Sequence, residues 1–205
     1  MGRASIDTGE IYTTANPFVR WLGGRLTRRI GNILNSVGAG LLLGLDLGCG
    51  EGHMQAELRS KKVLGKTVVA DIDFQKLKTA KYRFQLTDTV GADCTRLGFR
   101  SASFDFVMML EVLEHLESVE AAILEVKRVT RSEGLLIVSV PHEPFFHWGN
   151  LLRGKHLARG GRTPSHLHFW SRAQFKQLLQ EFVQIEKEFV WSTFPWLLFL
   201  CRLHP

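Results

Sequence analysis

This sequence has few cysteines and no long apolar segment. Its 205 residues include three cysteines, Cys49, Cys94 and Cys201. The odd number and the wide spacing argue against a disulfide framework or a zinc site, and they fit a reducing compartment. No apolar run approaches the roughly 20 residues that span a bilayer, and the N-terminal segment lacks the apolar core of a signal peptide. We therefore expect a cytoplasmic protein without a transmembrane segment.

Positive charge is concentrated in two segments of the chain. The net charge is +6, with five arginines against two acidic residues in 1–38, and six lysines or arginines against one acidic residue in 141–180. Such an excess can serve solubility alone, or it can meet an anionic substrate, RNA or a membrane surface. The sequence leaves these alternatives open.

Strand-like and helix-like segments alternate along the chain. Short apolar segments predict strands at residues 41–46, 67–70, 89–92, 104–110, 135–140, 183–190 and 196–202. Apolar residues at helical spacing predict helices at residues 18–37, 52–61, 73–84 and 118–130. The glycine pair Gly23-Gly24 can divide the first helix in two. This alternation predicts an α/β fold with a mainly parallel sheet.

Residues 141–170 interrupt this alternation. They are rich in glycine, proline, histidine and aromatic residues, and a connection of this length is usually functional. Ser171 and Gln174 then have the spacing of a capping box, which predicts a helix to about residue 182. We expect a single domain, 1–205, divided into a helical cap (1–38), a cofactor-binding core (39–140), a substrate cap with its helix (141–182) and a closing strand pair (183–205).

The strongest local motif is DLGCGEG at residues 46–52, between a predicted strand and a predicted helix. Its G-x-G-x-G spacing differs from the G-x-G-x-x-G of dinucleotide folds, and Asp46 would repel a pyrophosphate but face a cationic amino acid group. Asp71 ends the second strand, where a carboxylate can accept hydrogen bonds from ribose hydroxyls. Asp93 ends the third strand, where it can take an adenine amino group, and the Cys94 N–H can reach a ring nitrogen.

The segments LDLGCGEG, VVADID, GADCTRLGF and SFDFVMMLEVLEHL follow one another in this order. They resemble the class I S-adenosylmethionine-dependent methyltransferases of type 11/12, from about residue 40 to residue 205. The resemblance implies a Rossmann-like sheet of seven mostly parallel strands, with helices on both faces and the last strand antiparallel. Gly44 departs from the family pattern, because a bulkier apolar residue is usual in the first strand.

The same resemblance implies S-adenosylmethionine as the cofactor. Asp46, Gly48 and Gly50 would line its methionine part, Asp71 its ribose and Asp93 its adenine. The full set of implied cofactor-binding residues is Asp46, Gly48, Cys49, Gly50, Gly52, Asp71, Ile72, Asp93, Cys94 and Leu110.

Three further polar side chains follow the fourth strand. Glu111, Glu114 and His115 have i, i+3, i+4 spacing, so a helical turn would point all three one way and form a plausible divalent metal site. The combination with a later histidine is similar to the ubiquinone-pathway O-methyltransferases and the small-RNA terminal 2′-O-methyltransferases, in which a metal binds the hydroxyls to be methylated. This similarity implies Mg²⁺ or Mn²⁺ held by Glu111, Glu114, His115 and His166, with His168 as the reserve ligand. The alternative is that no metal binds and His115 caps the helix or shapes the pocket.

These features predict methyl transfer to the hydroxyl of a small-molecule acceptor, which the basic segments allow to be anionic. His142 and His115 are the candidate catalytic residues, with His142 as the base if no metal assists. RNA 2′-O-methylation and a non-catalytic cofactor-binding subunit are the alternatives. The first helix, with its four arginines, is typical both of a pocket cap and of peripheral contact with a membrane surface. The sequence does not predict an oligomeric state.

Overall fold

The computed structural model describes residues 10–143, 145–152, 154 and 156–204. Its strands are β1 (Gly44–Leu47), β2 (Thr67–Asp71), β3 (Thr89–Gly91), β4 (Phe104–Leu110), β5 (Thr130–Pro141), β6 (Gln184–Phe189) and β7 (Trp196–Arg202). They form one sheet in the order β3-β2-β1-β4-β5-β7-β6. Strand β7 pairs antiparallel with β5 and β6, and the other pairs are parallel. The predicted seven-stranded sheet with an antiparallel last strand is confirmed.

Helices cover both faces of the sheet. They are α1 (Glu10–Thr13), α2 (Pro17–Ser36), α3 (His53–Ser60), α4 (Phe74–Phe84), α5 (Val119–Val129), α6 (Phe145–Leu152) and α7 (Arg172–Gln180). One core packs α5 and α7 on the sheet, and the other packs α2 and α3 on the opposite face. Within β4, Val107 and Met109 belong to the first core, and Phe106 and Met108 to the second. The strand is therefore apolar throughout, as in sheets that are covered on both faces.

Helix α2 is not interrupted by its glycine pair. It continues through Gly23 and Gly24 from an N-terminus where the Asn16 side chain accepts two backbone hydrogen bonds. Leu26 and Leu34 on its inner face are fully buried. Burial of this face outweighs the helix propensity lost at two glycines, about 1 kcal/mol each. None of the described helices has both the length and the apolar character needed to cross a bilayer.

Three other elements differ from expectation. Strand β1 begins at Gly44, because Ala39–Leu41 forms a 3₁₀ turn, and β5 begins directly after α5. Helix α6 lies inside the connection that has no periodic pattern. Its sequence, FFHWGNLL, is mostly apolar and carries no charge to mark a solvent face. The capping box at the start of α7 forms as predicted, with Ser171 and Gln174 bonding reciprocally.

Gly44 is explained by packing against the neighbouring strand. A Cβ at this position would lie 2.2 Å from the ring of Phe106 on β4. The Phe106 side chain is fully buried, so its ring occupies the volume that a side chain on β1 would otherwise take. A small residue on β1 is therefore paired with a large residue on β4, and this pairing accounts for the departure from the family pattern.

Candidate functional site

A glycine turn joins β1 to α3 at the carboxyl edge of the sheet. Gly48 has a φ of +75°, and a Cβ there would lie 2.4 Å from Val112, so both conformation and space exclude a side chain. The Asp71 carboxylate accepts hydrogen bonds from the backbone N–H groups of Gly50, at 2.8 Å, and Asp73, at 2.9 Å. Asp71 therefore fixes the turn against β2, and its oxygens retain lone pairs for a further donor.

A cavity opens beside this turn. Its walls come from Tyr12, Leu26, Asp46, Gly48, Cys49, Glu51, His53, Met54, Leu110 and Glu111. We call it the cofactor cavity, because it includes four of the residues predicted to bind the cofactor. Asp46 is buried and accepts a 2.9 Å hydrogen bond from the Gln55 amide. Burial raises the pKa of Asp46 to about 7, the Gln55 hydrogen bond opposes this rise, and the charge of Asp71 adds to it. A cationic group that enters the cavity would favour the ionised carboxylate.

The other predicted cofactor residues lie outside these walls. Gly52 precedes α3 with a φ of +83°. The Asp93 carboxylate accepts hydrogen bonds from the Thr95 N–H, at 2.9 Å, and the Thr95 hydroxyl, at 2.7 Å. Ile72 is 45% exposed directly after β2, and Cys94 is partly buried after β3. Contact of these residues with a cofactor stays a prediction.

Sequence analysis missed one aromatic residue of the cofactor cavity, Tyr12 on α1. Its ring stacks on His53 with centroids 5.6 Å apart, and its hydroxyl lies 3.3 Å from the Thr27 hydroxyl on α2. Burial raises the pKa of the Tyr12 hydroxyl, so this group stays protonated. Helix α1 has only four residues, and such a short element has no periodicity by which a sequence could mark it.

A second group of side chains follows β4. Glu114, His115 and His166 each offer a ligand atom, and these atoms lie within 4.8 Å of one another. We call them the Glu114 cluster. Glu114 is 1% exposed, and neither of its carboxylate oxygens has a hydrogen-bond partner in another described residue. Burial raises the pKa of Glu114 well above its usual value, and the charge of Glu111 adds to this. A carboxyl group buried in this way is costly unless another group compensates it.

Backbone hydrogen bonds hold His166 in the Glu114 cluster. The N–H groups of Leu167 and His168 both donate to the Glu114 carbonyl oxygen, at 2.7 and 3.2 Å. The segment 163–168 is thereby attached to the turn that follows β4. Residues about 50 positions apart in sequence are brought together by this contact.

The two imidazoles of the Glu114 cluster are suited to act as ligands. The His115 Nδ1 donates to the Ser165 carbonyl oxygen at 2.9 Å, which leaves its Nε2 unprotonated and 3.8 Å from the Glu114 carboxylate. The His115 and His166 ring centroids are 4.8 Å apart. Burial lowers the pKa of both rings, to about 3 for His166, where the charge of His115 adds to the effect. Both rings are therefore neutral at physiological pH, as metal-binding histidines are.

Glu111 was predicted as a metal ligand, but among the described residues it does not join the Glu114 cluster. Its backbone has a φ of +59°, and its Oε1 accepts a 2.9 Å hydrogen bond from the Ser139 hydroxyl. The helical turn that would align the three side chains is reduced to a 3₁₀ turn at Leu113–His115. Burial raises the pKa of Glu111 to about 8, and hydrogen bonds from Ser139 and Trp196 oppose this rise. Glu111 lies in the wall of the cofactor cavity, apart from the Glu114 cluster, and its role as a metal ligand stays a prediction.

The two remaining histidines of interest lie in different surroundings. His142, just after β5, packs its ring against Phe145 at 5.0 Å, and its Nδ1 is buried without a partner in the described part of the chain. Burial lowers the pKa of His142, and Arg172 adds to this. Its role as a base stays a prediction, since it does not line the cofactor cavity. The His168 Nε2 donates to the Leu116 carbonyl oxygen at 2.9 Å, so this ring is engaged with backbone.

Comparison with known proteins supports the prediction for the part of the chain that holds the glycine turn and the residues after β4. A family model described as "Methyltransferase domain" matches residues 45–138. The match includes the glycine turn, Asp71 and Asp93 at the carboxyl edge, and two of the three residues of the Glu114 cluster. It ends before His142 and His166.

Two curated relatives that this chain resembles are also named as methyltransferases. A Mycobacterium tuberculosis "Probable S-adenosylmethionine-dependent methyltransferase" is 32% identical over 105 residues, which are 51% of this chain and 38% of that protein. The mitochondrial "Ubiquinone biosynthesis O-methyltransferase" of Candida albicans is 26% identical over 154 residues, 71% of this chain and 47% of that protein. The chain thus spans less than half the length of these curated relatives.

The fold also recurs among solved structures. A "SAM dependent methyltransferase from Aquifex aeolicus" superposes with a TM-score of 0.69 at 16% identity, covering 97% of this chain and 100% of that one. At this identity the likeness establishes the fold and not the acceptor.

Proposed function

Because this chain belongs to the class I S-adenosylmethionine-dependent methyltransferases, we propose that it methylates a hydroxyl group of a small-molecule acceptor with the help of a divalent cation. The observation that carries the proposal is the buried Glu114 carboxylate, which lacks a hydrogen-bond partner in another described residue and lies beside two neutral imidazoles. A bound cation would compensate the cost of burying this group, which proximity between cofactor and acceptor would not do.

The residues of the Glu114 cluster fit a metal ion of the Mg²⁺ or Mn²⁺ class. A carboxylate suits both ions, and imidazole nitrogen favours Mn²⁺ of the two. His115 already donates its other ring N–H to a backbone carbonyl, which is the usual arrangement around a metal-binding histidine. When bound, a cation would lower the pKa of an acceptor hydroxyl.

The protein's own residues supply orientation. The cofactor cavity would hold S-adenosylmethionine by its amino acid part at Asp46 and the glycine turn, with its methyl group directed toward the end of β4. In the transfer, the acceptor oxygen bonds to the methyl carbon while the carbon–sulfur bond breaks, and the sulfur leaves as a neutral thioether. The acceptor proton passes to solvent water when a cation has lowered the pKa of the hydroxyl, and to His142 as the proposed base if no cation assists.

A second candidate is 2′-O-methylation of RNA. The observation that favours it is the charge of residues 144–180, which contain six lysines or arginines and no acidic residue. This segment includes His166 and could contact a phosphate backbone. A non-catalytic cofactor-binding subunit is less consistent with a buried, uncompensated carboxylate next to the cofactor cavity.

Calorimetry and turnover assays test the proposal together. The purified chain should bind S-adenosylhomocysteine and Mn²⁺, and it should methylate members of a panel of vicinal diols and catechols, with activity lost in chelator and restored by Mg²⁺ or Mn²⁺. His166→Ala should mimic the chelator, whereas the matched variant His168→Ala should keep the metal response. Full turnover in chelator would remove the cation from the proposal, and methylation of a short RNA but of no small molecule would favour the second candidate.

A further inference from the structure

Six large apolar side chains are exposed on three elements that contact one another. Two lie at the start of α2, three on α6 and one in the turn between β6 and β7: Phe18, Trp21, Phe145, Trp148, Leu152 and Trp191. We call this set the aromatic surface. Trp191 is 82% exposed and Leu152 is 90% exposed, and what is informative is that such side chains occur together on neighbouring elements. An exposed apolar group of this kind commonly marks an interaction site.

Direct contacts connect the three elements. The rings of Phe18 and Trp21 stack at 5.8 Å, and the Arg25 guanidinium lies 4.7 Å from the Trp21 ring centroid. Arg25 also donates hydrogen bonds to the carbonyl oxygens of Trp191, at 3.2 Å, and Ser192, at 3.1 Å. Helix α2 and the β6–β7 turn are therefore held side by side.

Helix α6 contacts the same turn from another direction. The Phe145 ring lies 5.4 Å from that of Phe194, two residues before β7. The next residue along α6, Phe146, lies 6.0 Å from the His166 ring in the Glu114 cluster. On α2, Leu26 lines the cofactor cavity. Helix α2 thus contributes Leu26 to the cofactor cavity, and helix α6 places Phe146 beside the Glu114 cluster. Other side chains of the same two helices belong to the aromatic surface.

The segments that contain α2 and α6 carry positive charge and no acidic residue, whereas three of the acidic residues that flank them, Glu143, Glu186 and Glu188, are paired with His147, Arg202 and Arg172. Residues 11–45 contain four arginines and no acidic residue, and residues 144–180 contain no acidic residue either. Arg20 and Arg28 on α2 are exposed. Aromatic rings flanked by arginines match the interface of an anionic bilayer, where rings settle at the headgroup level and cations meet lipid phosphates.

Other occupants fit less well. A symmetric contact with a second copy of the chain would bring the arginines of α2 toward their own equivalents, which is unfavourable. RNA would use the arginines, but α6 carries no charged residue and adds an exposed aliphatic side chain, Leu152, that a phosphate groove does not need. We therefore propose that the aromatic surface docks this protein onto a membrane that contains anionic phospholipid. If the proposed function holds, the acceptor would then be an amphiphile reached from that membrane.

Vesicle flotation tests the docking without any methyl transfer. The full chain should bind vesicles of phosphatidylcholine with about one third phosphatidylglycerol at least about tenfold more strongly than pure phosphatidylcholine vesicles, because each arginine near an anionic surface adds attraction. Trp21→Ala with Trp191→Ala should reduce this binding at least about tenfold. The matched control is Tyr82→Ala on α4, which removes a ring that is 77% exposed elsewhere on the molecule.

Two double variants that reverse charge test the electrostatic contribution to vesicle binding. Arg20→Glu with Arg28→Glu should lose most of the preference for anionic vesicles, whereas Lys78→Glu with Lys81→Glu on α4 should keep it. Unchanged S-adenosylhomocysteine binding would show that each variant is folded. The proposal is overturned if wild type ignores anionic vesicles, if Tyr82→Ala is as damaging as the tryptophan pair, or if the same variants instead abolish a dimer or a tighter complex with RNA.

Discussion

The cofactor cavity and the Glu114 cluster lie at the same edge of the sheet but are built differently. The glycine turn is shaped by backbone: the N–H groups of Gly48 and Cys49 donate to the Ala70 carbonyl oxygen, and that of Gly50 donates to the Asp71 carboxylate. The Glu114 cluster is made of side chains from two distant segments, and its carboxylate has no partner in another described residue. Both regions hold a buried carboxyl group whose pKa is raised, but Asp46 has the Gln55 amide as a partner, whereas Glu114 has no partner in another described residue. A cationic amino acid group is the proposed compensation for Asp46, and a divalent cation is the proposed compensation for Glu114.

The sharpest test of this comparison uses one variant in each region. Asp71→Ala removes the carboxylate that fixes the glycine turn, so S-adenosylhomocysteine affinity should fall about 10- to 100-fold while Mn²⁺ affinity is unchanged. His166→Ala removes one of the three proposed ligands, so Mn²⁺ affinity should fall about 100-fold while cofactor affinity is unchanged. Calorimetric titration of both variants with both ligands measures all four values. If either variant weakened both ligands equally, the two regions would not be independent.

A smaller effect concerns how tightly the sheet beneath the cofactor cavity is packed. Gly44→Ala places a methyl group 2.2 Å from the Phe106 ring, which is fully buried and cannot move without disturbing its neighbours. Overpacking of this kind should lower the free energy of unfolding by about 1–3 kcal/mol. Urea denaturation measures the change. Adding Phe106→Leu to Gly44→Ala should recover part of the loss, and a purely additive double variant would show that the two side chains do not compete for space.

The two regions also differ in how much of each the sequence could predict. The glycine turn is one contiguous motif and Asp71 directly follows an apolar strand, so local patterns were enough to mark both positions. Contact of His166 with Glu114 depends on backbone hydrogen bonds from Leu167 and His168, which no local pattern encodes. The helical turn that the i, i+3, i+4 spacing suggested does not include Glu111, because the backbone of this residue has a positive φ.

The elements that sequence analysis missed or misjudged have a related explanation. Most strands and the amphipathic helices that pack on the sheet were predicted to within a few residues, because apolar runs and helical periodicity mark them. Helix α6 has no polar face to mark a period, and α1 is too short to show one. Gly23-Gly24 suggested a break in α2 that burial of Leu26 and Leu34 overrides. Where packing competes with local preference, sequence patterns give the weaker prediction.

The pH dependence of cofactor binding probes the buried carboxylate of the cofactor cavity. Burial raises the pKa of Asp46 to about 7, so this group is partly protonated at neutral pH, and a cationic ligand group requires its ionised form. S-adenosylhomocysteine affinity should therefore rise with pH, by up to about tenfold per unit below pH 7, and level off above it. Asp46→Asn should bind more weakly at high pH and show a flatter profile. Calorimetry from pH 5.5 to pH 8.5 (a range about 1.5 units either side of the pKa) would contradict this if both proteins gave the same slope.

The same group makes a signed prediction for stability. An acid whose folded pKa lies above its unfolded value of 3.8 binds more protons in the folded state, so its contribution is greatest below pH 3.8 and is lost as pH rises through about 7. Without ligand, the free energy of unfolding should decline across this window, and Asp46→Asn should decline less steeply. Glu111 and Glu114 are also buried with raised pKa values, so part of the slope should remain in the variant. Urea denaturation at several pH values measures the difference in slope.

The smallest expected effect lies in α2, the helix that lines the cofactor cavity, and it contrasts with the tight packing at Gly44. A Cβ added at Gly24 meets no atom within 4 Å, and the position is inside a continuous helix. Gly24→Ala should therefore raise the free energy of unfolding by about 0.5–1 kcal/mol, because alanine restricts the unfolded chain and favours the helix. Gly38→Ala is the matched control: its Cβ also meets nothing within 4 Å, but its φ of +69° disfavours any side chain, so stability should fall. Both positions have room for a methyl group, so thermal denaturation of the two variants measures the effect of backbone conformation alone on stability. A loss of stability in Gly24→Ala would mean that α2 does break at its glycine pair, and that the layer over the cofactor cavity is two helices.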